Sequence, residues 1–273
     1  MELLVVGCSG SLAGVYSPAS GYVLRENPRG AGGGDSQPLL LDIGPGVLGA
    51  LQSYPEVQIS DCHLLLSHLH ADHCLDFPSL LVWRRFHPTE SAQERHKLLA
   101  PSITARQLGT AGADHPDAPD DFSDTFEVLA HDAGPSSFFD ATTYPSTSIG
   151  TFNVYSAPAV HATEAYITRI HGADGSSVVY SGDTALTPRL AQIAHGADVL
   201  LCEATWGETS EGKPDGMHMS GEDAGLAAAQ AGVKHLVLTH IPPWGDGEGA
   251  LRGARRYFDG ELTLARPGMR IEV

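Results

Sequence analysis

Five apolar runs along this chain each end at a residue that can bind a metal ion or carry a proton. LLLSH ends at His68, NVYSAPAVH at His161, SVVYSGD at Asp183, DVLLCE at Glu203 and HLVLTH at His240. Short apolar runs of this kind are typical of buried strands, and segments such as EDAGLAAAQAG between them indicate helices. We therefore predict an α/β fold in which strands of one sheet deliver these side chains to one edge.

The segment SHLHADHCLD at 67–76 places His68, His70, Asp72 and His73 within six positions. His68 and His70 are two apart and can point the same way from an extended turn, while Asp72 and His73 face a second point. Two divalent metal ions about 3.5–4 Å apart would suit this split. The structural alternative is a polar turn with incidental histidines. Imidazole and carboxylate groups without paired cysteines favour zinc, with manganese and iron as alternatives.

Three later residues complete a set of seven candidate ligands: His161, Asp183 and His240. If Asp183 bridges, each metal ion receives three or four protein ligands. The eight histidines that follow neither this pattern nor the motif near position 218 are expected at the surface or in satisfied core positions. They are His63, His87, His96, His115, His131, His171, His195 and His235.

Composition limits the partners and the compartment. The formal net charge is −17, with only 16 basic residues, which disfavours a long nucleic acid. A small anion is less affected, because a local cluster or a metal ion can outweigh the distant field. The four cysteines lack CxxC spacing and indicate reduced thiols, the first residues do not resemble a signal peptide, and no long apolar window predicts a membrane span. We expect a cytoplasmic protein.

The order of elements predicts a single domain over residues 1–273. Apolar runs at 3–6, 21–25 and 38–44 indicate early strands, and the glycine-rich segment 27–37 a loose hairpin loop. A helical pattern covers about 74–99, with Asp76 and Pro78 at its start. The acidic segment 110–125 predicts a mobile loop rather than a domain linker, because candidate ligands lie on both sides of it.

The combination of HLHADH, a later histidine, SGDT and LTH resembles the metallo-β-lactamase superfamily over nearly the whole chain. The resemblance implies a four-layered αββα sandwich with a dinuclear site at the edge of its two sheets. By that resemblance His68, His70 and His161 hold the first metal ion. Asp72, His73 and His240 hold the second, and Asp183 bridges the two. Asp42 in LLDIG matches an early aspartate that supports the metal loop without binding metal.

Two further motifs indicate a branch. CEATW at 202–206 and MHMSGEDA at 217–224 resemble the paired motifs of ribonuclease Z enzymes, which implies catalytic roles for Glu203 and His218. In the structural alternative, Glu203 is a buried structural carboxylate and His218 flanks a helix. Ser220 and Asp223 predict the start of that helix, and Gly232 its end. The ribonuclease Z tRNA-binding arm has no counterpart between His161 and Asp183, where there is room for only two strands and a turn.

A more specific resemblance is carried by GCSGS, SPASGY, GVLGALQ, LLSHLHADHCLD, VWRR, YSGDT, LCEA, AAQAGV and LTHIPPW. Together they are similar to the atypical class II cyclic nucleotide phosphodiesterases of actinobacteria. The resemblance implies hydrolysis of 3′,5′-cyclic AMP to a 5′-monophosphate by a metal-bridging hydroxide. Asp72 would assist that nucleophile, and His218, oriented by Glu203, the leaving oxygen. Relatives in this branch are often dimers, so a homodimer is expected, with a contribution from WRRF at 83–86.

Several alternatives stay open at this point. The chain could be a ribonuclease Z-like RNA or tRNA 3′ processing enzyme, another phosphodiesterase of the superfamily, or a hydrolase of lactams, lactones or thioesters. A non-catalytic metal-binding module would be expected to lack a ligand. Arg84, Arg85 and Arg169 are candidates for phosphate contact but more typical of ion pairs, and Trp244 is a candidate for base stacking or for packing.

Overall fold

The computed structural model describes residues 1–26, 37–135 and 137–273. The predicted hairpin loop at 27–37 therefore lies, except for Gln37, outside the described residues. The first six strands in chain order are β1 (Glu2–Gly7), β2 (Gly21–Arg25), β3 (Leu39–Leu41), β4 (His63–Leu65), β5 (His96–Ala100) and β6 (Phe126–Ala130). The next seven are β7 (Thr147–Ile149), β8 (Phe152–Pro158), β9 (Tyr166–His171), β10 (Ser177–Tyr180), β11 (Val199–Glu203), β12 (His235–Thr239) and β13 (Glu261–Leu264). The last strand is β14 (Arg270–Glu272).

The strands form two sheets of seven. The first has the order β14-β1-β2-β3-β4-β5-β6 and the second β13-β12-β11-β10-β9-β8-β7. Strands β3 to β6 run parallel to one another, as do β10 to β13. Apolar side chains of both sheets, including Tyr22, Leu41, Val178 and Leu201, form a buried cluster between them.

Helices cover the outer face of each sheet. They are α1 (Val47–Leu51), α2 (Ala71–Cys74), α3 (Phe77–Phe86), α4 (Thr104–Ala111), α5 (Pro188–Ile193), α6 (Gly221–Ala231) and α7 (Gly247–Arg255). Leu48 and Phe77 join a buried cluster on the first sheet, and Leu190 and Ala227 one on the second. The result is the predicted four-layered αββα sandwich. None of the helices in the described ranges has the length and apolar character needed to cross a bilayer.

The prediction that one sheet carries all five site strands is wrong. His68 follows β4 in the first sheet, whereas the other four residues end or follow strands of the second sheet. Local patterns reveal where strands end but not which sheet they join, because pairing is decided by distant segments. The stacking of the two sheets brings both sets of strand ends to one rim.

The helix predicted at 74–99 is also wrong in its second half. Helix α3 ends at Phe86, and His96–Ala100 is strand β5, paired between β4 and β6. Pro88 accounts for the end, because a proline pushes the residue before it out of helical geometry, and His87 is extended with ψ 128°. Pro78 lies in the first turn as predicted, but Asp76 accepts a bond from Leu48 N instead of capping its own helix.

The segment 110–125 is helical only as far as Ala111, and the remainder contains turns. The side chain of Arg85 bonds to Asp120 and Asp124, and Phe122 is buried. These contacts attach the segment to α3, and its mobility stays a prediction. Between His161 and Asp183 the chain forms β9, a turn and β10, so the described residues there contain no arm.

Candidate metal centre and catalytic dyad

The seven predicted ligands come together as two adjoining clusters of side chains. In each cluster the candidate ligand atoms all lie within 4.8 Å of one another. The first cluster is His68, His70, His161 and Asp183, and the second is Asp72, His73, Asp183 and His240. Asp183 belongs to both clusters and is almost fully buried. The arrangement can therefore hold metal ions at two adjacent positions.

The local backbone explains how one short segment serves both clusters. His70 is extended, with φ −68° and ψ 152°, and the next residues form the single helical turn α2. The extended part presents His68 and His70, while the helical turn carries Asp72 and His73 to the other cluster. The structure thus divides the motif between the two clusters, as the spacing predicted.

A buried carboxylate, Asp42, supports this segment from beneath. Its Oδ1 accepts a hydrogen bond from Ser67 N at 2.7 Å, and its Oδ2 accepts bonds from Ser67 Oγ, His73 Nδ1 and Tyr180 OH at 2.7, 2.7 and 2.6 Å. Asp42 has a left-handed φ of 55°, a strained geometry that non-glycine residues keep where their surroundings enforce it. Asp42 lies outside both clusters, in the supporting position that the resemblance implies.

Hydrogen bonds on the outer side of the imidazoles determine which nitrogen carries a proton. His73 Nδ1 donates to the Asp42 carboxylate, which leaves its Nε2 as a lone pair. Ser67 Oγ donates to Asp42 and therefore accepts from His68 Nδ1 at 3.0 Å. The Nε2 lone pair of His68 then also faces the clusters.

The same logic applies to the ligands from the second sheet. His161 Nδ1 donates to the carbonyl oxygen of Met217 at 2.8 Å. Thr205 Oγ1 donates to Glu203 Oε2 and so accepts from His240 Nδ1, both at 2.8 Å. Both Nε2 atoms are left as lone pairs directed into the site.

Acceptor atoms thus converge without hydrogens between them. His240 Nε2 lies 3.1 Å from His73 Nε2 and 3.0 Å from Asp72 Oδ2. His68 Nε2 and Asp183 Oδ1 are buried and have no hydrogen-bond partner in the described ranges. Buried acceptors without donors are costly unless a cation or proton lies among them. The donor set of imidazole nitrogens and carboxylate oxygens fits divalent metal ions.

In the metal-free protein, a proton supplies part of the positive charge that these buried acceptors need. Burial alone would lower the pKa of His73, but the charges of Asp183 and Asp42 raise it well above its ordinary value. Burial likewise opposes ionisation of Asp72, yet the neighbouring imidazoles of His240 and His73 keep the pKa of that carboxyl low. Metal binding would therefore release a proton from His73.

Glu203 and His218 form a dyad beside the clusters. Glu203, fully buried at the end of β11, accepts from Thr184 N at 2.7 Å and His218 Nδ1 at 3.1 Å through Oε1. Its Oε2 accepts from Thr205 Oγ1 at 2.8 Å and Met219 N at 3.2 Å. Burial lowers the pKa of His218, but the hydrogen bond and charge of Glu203 outweigh it and raise the pKa above its ordinary value.

The dyad is positioned by the helix that follows it. Ser220 and Asp223 form the predicted capping box of α6, and Gly232 ends the helix in the left-handed conformation, with φ 65°. His218 precedes this cap and lies 3.7 Å from Asp183 Oδ2 through its Nδ1. Its ring is therefore held next to the residue that both clusters share.

Sequence reasoning missed Thr205 and Tyr180. Thr205 links the dyad to His240, and Tyr180 donates to Asp42 across the two sheets. Both residues stand within two or three positions of a predicted site residue, in CEATW and VVYSGD. That proximity is the signal that could have singled them out.

The other candidates lie away from the clusters. Arg84 is 1% exposed and donates to the carbonyl oxygens of Ser60 and Thr125. Arg169 donates to the carbonyl oxygens of Ile193 and His195, and Arg85 forms the ion pairs described above. Trp244 is 70% exposed, and none of the eight remaining histidines belongs to a metal cluster in the described ranges. These contacts favour structural roles for the three arginines.

Comparison with known proteins identifies the family. Residues 38–241 match the model of the β-lactamase superfamily domain. An uncharacterized protein of Mycobacterium leprae is 42% identical over 273 residues, covering 100% of this chain and 89% of that protein. A ribonuclease Z of Haloferax volcanii is 26% identical, and the match covers 88% of this chain and 87% of that protein. The crystal structure of the metallo-β-lactamase fold protein YhfI from Bacillus subtilis superposes with a TM-score of 0.80 at 22% identity. The superposition covers 100% of this chain and 99% of that chain.

The family match covers well over half of the chain and includes all seven clustered residues and both residues of the dyad. The chain belongs to the metallo-β-lactamase superfamily.

Proposed function

We propose that this protein is a dinuclear metal-dependent phosphodiesterase that hydrolyses 3′,5′-cyclic nucleotides, cyclic AMP among them, to 5′-nucleoside monophosphates. The observation that carries the proposal is the Glu203–His218 dyad, which adjoins two clusters that share Asp183. The lack of an arm between His161 and Asp183 in the described chain supports a small substrate. So does the net charge of −17, which opposes a long polyanion.

We assign His68, His70 and His161 to the first metal ion, Asp72, His73 and His240 to the second, and Asp183 to both. Zinc fits the mixture of imidazole and carboxylate best, with manganese or iron as alternatives. A pair of divalent cations would supply an ionised water near neutral pH and offset the charge of the phosphate. Asp72 would accept a hydrogen bond from that water in addition to its ligand role.

The dyad would supply the proton for the leaving group. Glu203 accepts from His218 Nδ1, so the other ring nitrogen, Nε2, is the atom that can donate to the 3′ oxygen. The hydrogen bond and charge of Glu203 raise the pKa of His218 and so favour the protonated ring. Because Thr184 N, Thr205 Oγ1 and Met219 N also donate to the Glu203 carboxylate and hold it in place, the imidazole keeps its orientation while the proton moves.

Replacement of His218 by Ala tests the dyad. We expect turnover of cyclic AMP to fall by about 10²- to 10⁴-fold with the metal content retained, since one proton donor is lost. Asp183→Ala should instead lose metal, because both clusters lose a carboxylate. Full turnover by either variant with a full metal complement would contradict the assigned role.

A substrate panel distinguishes the proposal from the alternatives. Wild-type protein of measured metal content would be assayed with cyclic nucleotides, cyclic dinucleotides, precursor tRNA, bis(p-nitrophenyl) phosphate and nitrocefin. Cleavage of precursor tRNA without turnover of cyclic AMP would favour RNA processing, the activity named for the Haloferax volcanii relative. Turnover of nitrocefin alone would indicate acyl hydrolysis and overturn the proposal.

We also propose a homodimer. Leu75, just after α2, and Val82 and Phe86 on α3 expose apolar side chains, Phe86 to 73%, in or near the predicted contact segment 83–86. Sedimentation equilibrium would measure the mass in solution, and a monomer at micromolar concentration would contradict this proposal. Residues 1–273 as one domain and the cytoplasm as its location stay predictions.

A further inference from the structure

A loop that follows the dyad carboxylate places an aromatic ring and a lysine beside the catalytic histidine. Trp206 is half-buried, and its ring centroid lies 5.0 Å from that of His218 in an edge-to-face arrangement. The ammonium group of Lys213 lies 5.7 Å from the centre of the Trp206 ring. The lysine is exposed, and no carboxylate in the described chain lies within 4.0 Å of its nitrogen.

This loop is attached to the site at both ends. Trp206 N donates to Met219 O at 3.0 Å, and the carbonyl oxygen of Met217 accepts from the cluster residue His161. Between these points the chain is exposed from 211 to 215. Gly212 and Gly216 have φ values of 71° and 70°, and a Cβ at either would meet nothing within 4 Å. The apex around Lys213 thus has open space around it.

Charge makes this lysine significant. An anionic substrate approaching a chain of net charge −17 needs compensating positive charge near the reaction centre. Arg84, Arg85 and Arg169, the cations considered from sequence, are committed to backbone carbonyls or ion pairs elsewhere. Among the residues that the structure describes, the Lys213 ammonium contacts the ring of Trp206 and no carboxylate, so it can be transferred to a ligand at small cost.

We infer that Trp206 and Lys213 bind the substrate on the side of the site where His218 lies. The ring of Trp206 would stack on a nucleobase, and the ammonium of Lys213 would bind an oxygen of the phosphate. This inference rests on the proposed function, and it names a nucleoside monophosphate unit as the recognised chemistry. Base stacking and a single ionic contact are sequence-tolerant, so the pair would accept more than one base.

Fluorescence of the metal-loaded protein tests the inference without relying on turnover. Trp206 is one of three tryptophans, and the variant Trp206→Phe isolates its signal. Titration of the wild type with 5′-AMP should quench the emission, and adenosine should bind more weakly because it lacks the phosphate. Lys213→Gln should weaken binding of 5′-AMP about tenfold, as expected for loss of one charge-assisted contact. Lys213→Arg should restore most of it.

The matched control is Lys234→Gln, which removes the same charge. Lys234 is exposed and paired with Asp198 just before β12, at the end of the strand opposite His240. The Lys234→Gln variant should bind 5′-AMP as the wild type does. In steady-state assays with cyclic AMP, Lys213→Gln should raise KM about tenfold and change kcat less than twofold.

The outcomes separate the two proposals. Equal affinity of Lys213→Gln and wild type for 5′-AMP, or no quenching in the wild type, overturns the inference whether or not cyclic AMP is hydrolysed. A wild type that binds 5′-AMP through Lys213 but hydrolyses no cyclic nucleotide overturns the proposed function and leaves the inference standing. Unchanged AMP affinity in Trp206→Leu, measured by calorimetry, with Lys213→Gln still weakened, removes the stacking role and so contradicts the inference as stated.

Discussion

Asp42→Asn is the substitution that most directly probes how the metal loop is held. The carboxylate accepts four hydrogen bonds, three of them on Oδ2 and one on Oδ1. An asparagine of the same shape can place its oxygen at only one of these positions. The better orientation keeps the three bonds at Oδ2 and turns an NH₂ group toward the Ser67 N–H.

The loss of stability expected for Asp42→Asn follows from these contacts. Loss of the one charge-assisted bond at Oδ1 costs about 1.5–3 kcal/mol of stability. Each of the three bonds that remain is weakened by about 0.5–1 kcal/mol, because its acceptor is now neutral. We therefore expect the free energy of unfolding of the metal-free protein to fall by about 3–6 kcal/mol. Because His73 and the segment carrying His68 both depend on this carboxylate, metal affinity should fall by about 10- to 100-fold.

Urea unfolding and metal analysis after dialysis against a weak chelator measure both quantities. Asp198→Asn is the matched control, because Asp198 Oδ2 also accepts from the N–H and hydroxyl of one serine, Ser177, at 2.8 and 3.0 Å. That site is remote from the clusters, so the control should lose stability but no metal. If Asp42→Asn retains its metal and unfolds within about 1 kcal/mol of wild type, the support role of Asp42 is wrong.

Three further predictions concern other parts of the structure. Thr205→Val should lower both kcat and metal affinity, because Glu203 and His240 each lose a hydrogen-bond partner. Kinetic and metal-content assays would measure the two effects, and no change in either would contradict the proton position assigned to His240. Ser220→Ala should lower the unfolding free energy by about 0.5–2 kcal/mol in urea through loss of the α6 cap, whereas no change would show the cap to be redundant. Burial lowers the pKa of His131 from 6.5 to about 4, so the unfolded chain binds the extra proton and stability falls as pH drops from 6.5 toward 4. His131→Gln in chelator-treated protein should remove about 2–3 kcal/mol of that fall between pH 7.5 and 4.5, and equal pH dependence in variant and wild type would refute the assignment.

The sequence by itself determined which side chains could form the site. Histidines and carboxylates at the ends of apolar runs, and the capping residues of α6, are local patterns whose chemistry does not depend on distant contacts. Local patterns fail where a distant segment decides the outcome. Strand β5 was hidden in a helical pattern because its pairing partners, β4 and β6, lie well apart from it in sequence.

Only the tertiary structure decided how the site is held and protonated. Asp42 meets Tyr180, and His73 meets His240, across 138 and 167 positions of the chain. Such contacts leave no periodic signal, yet they determine which imidazole nitrogen carries a proton and therefore where a cation can be bound. The stacking of two sheets, rather than the strand pattern of one, brings the residues of SHLHADHCLD to the ends of β8, β10, β11 and β12.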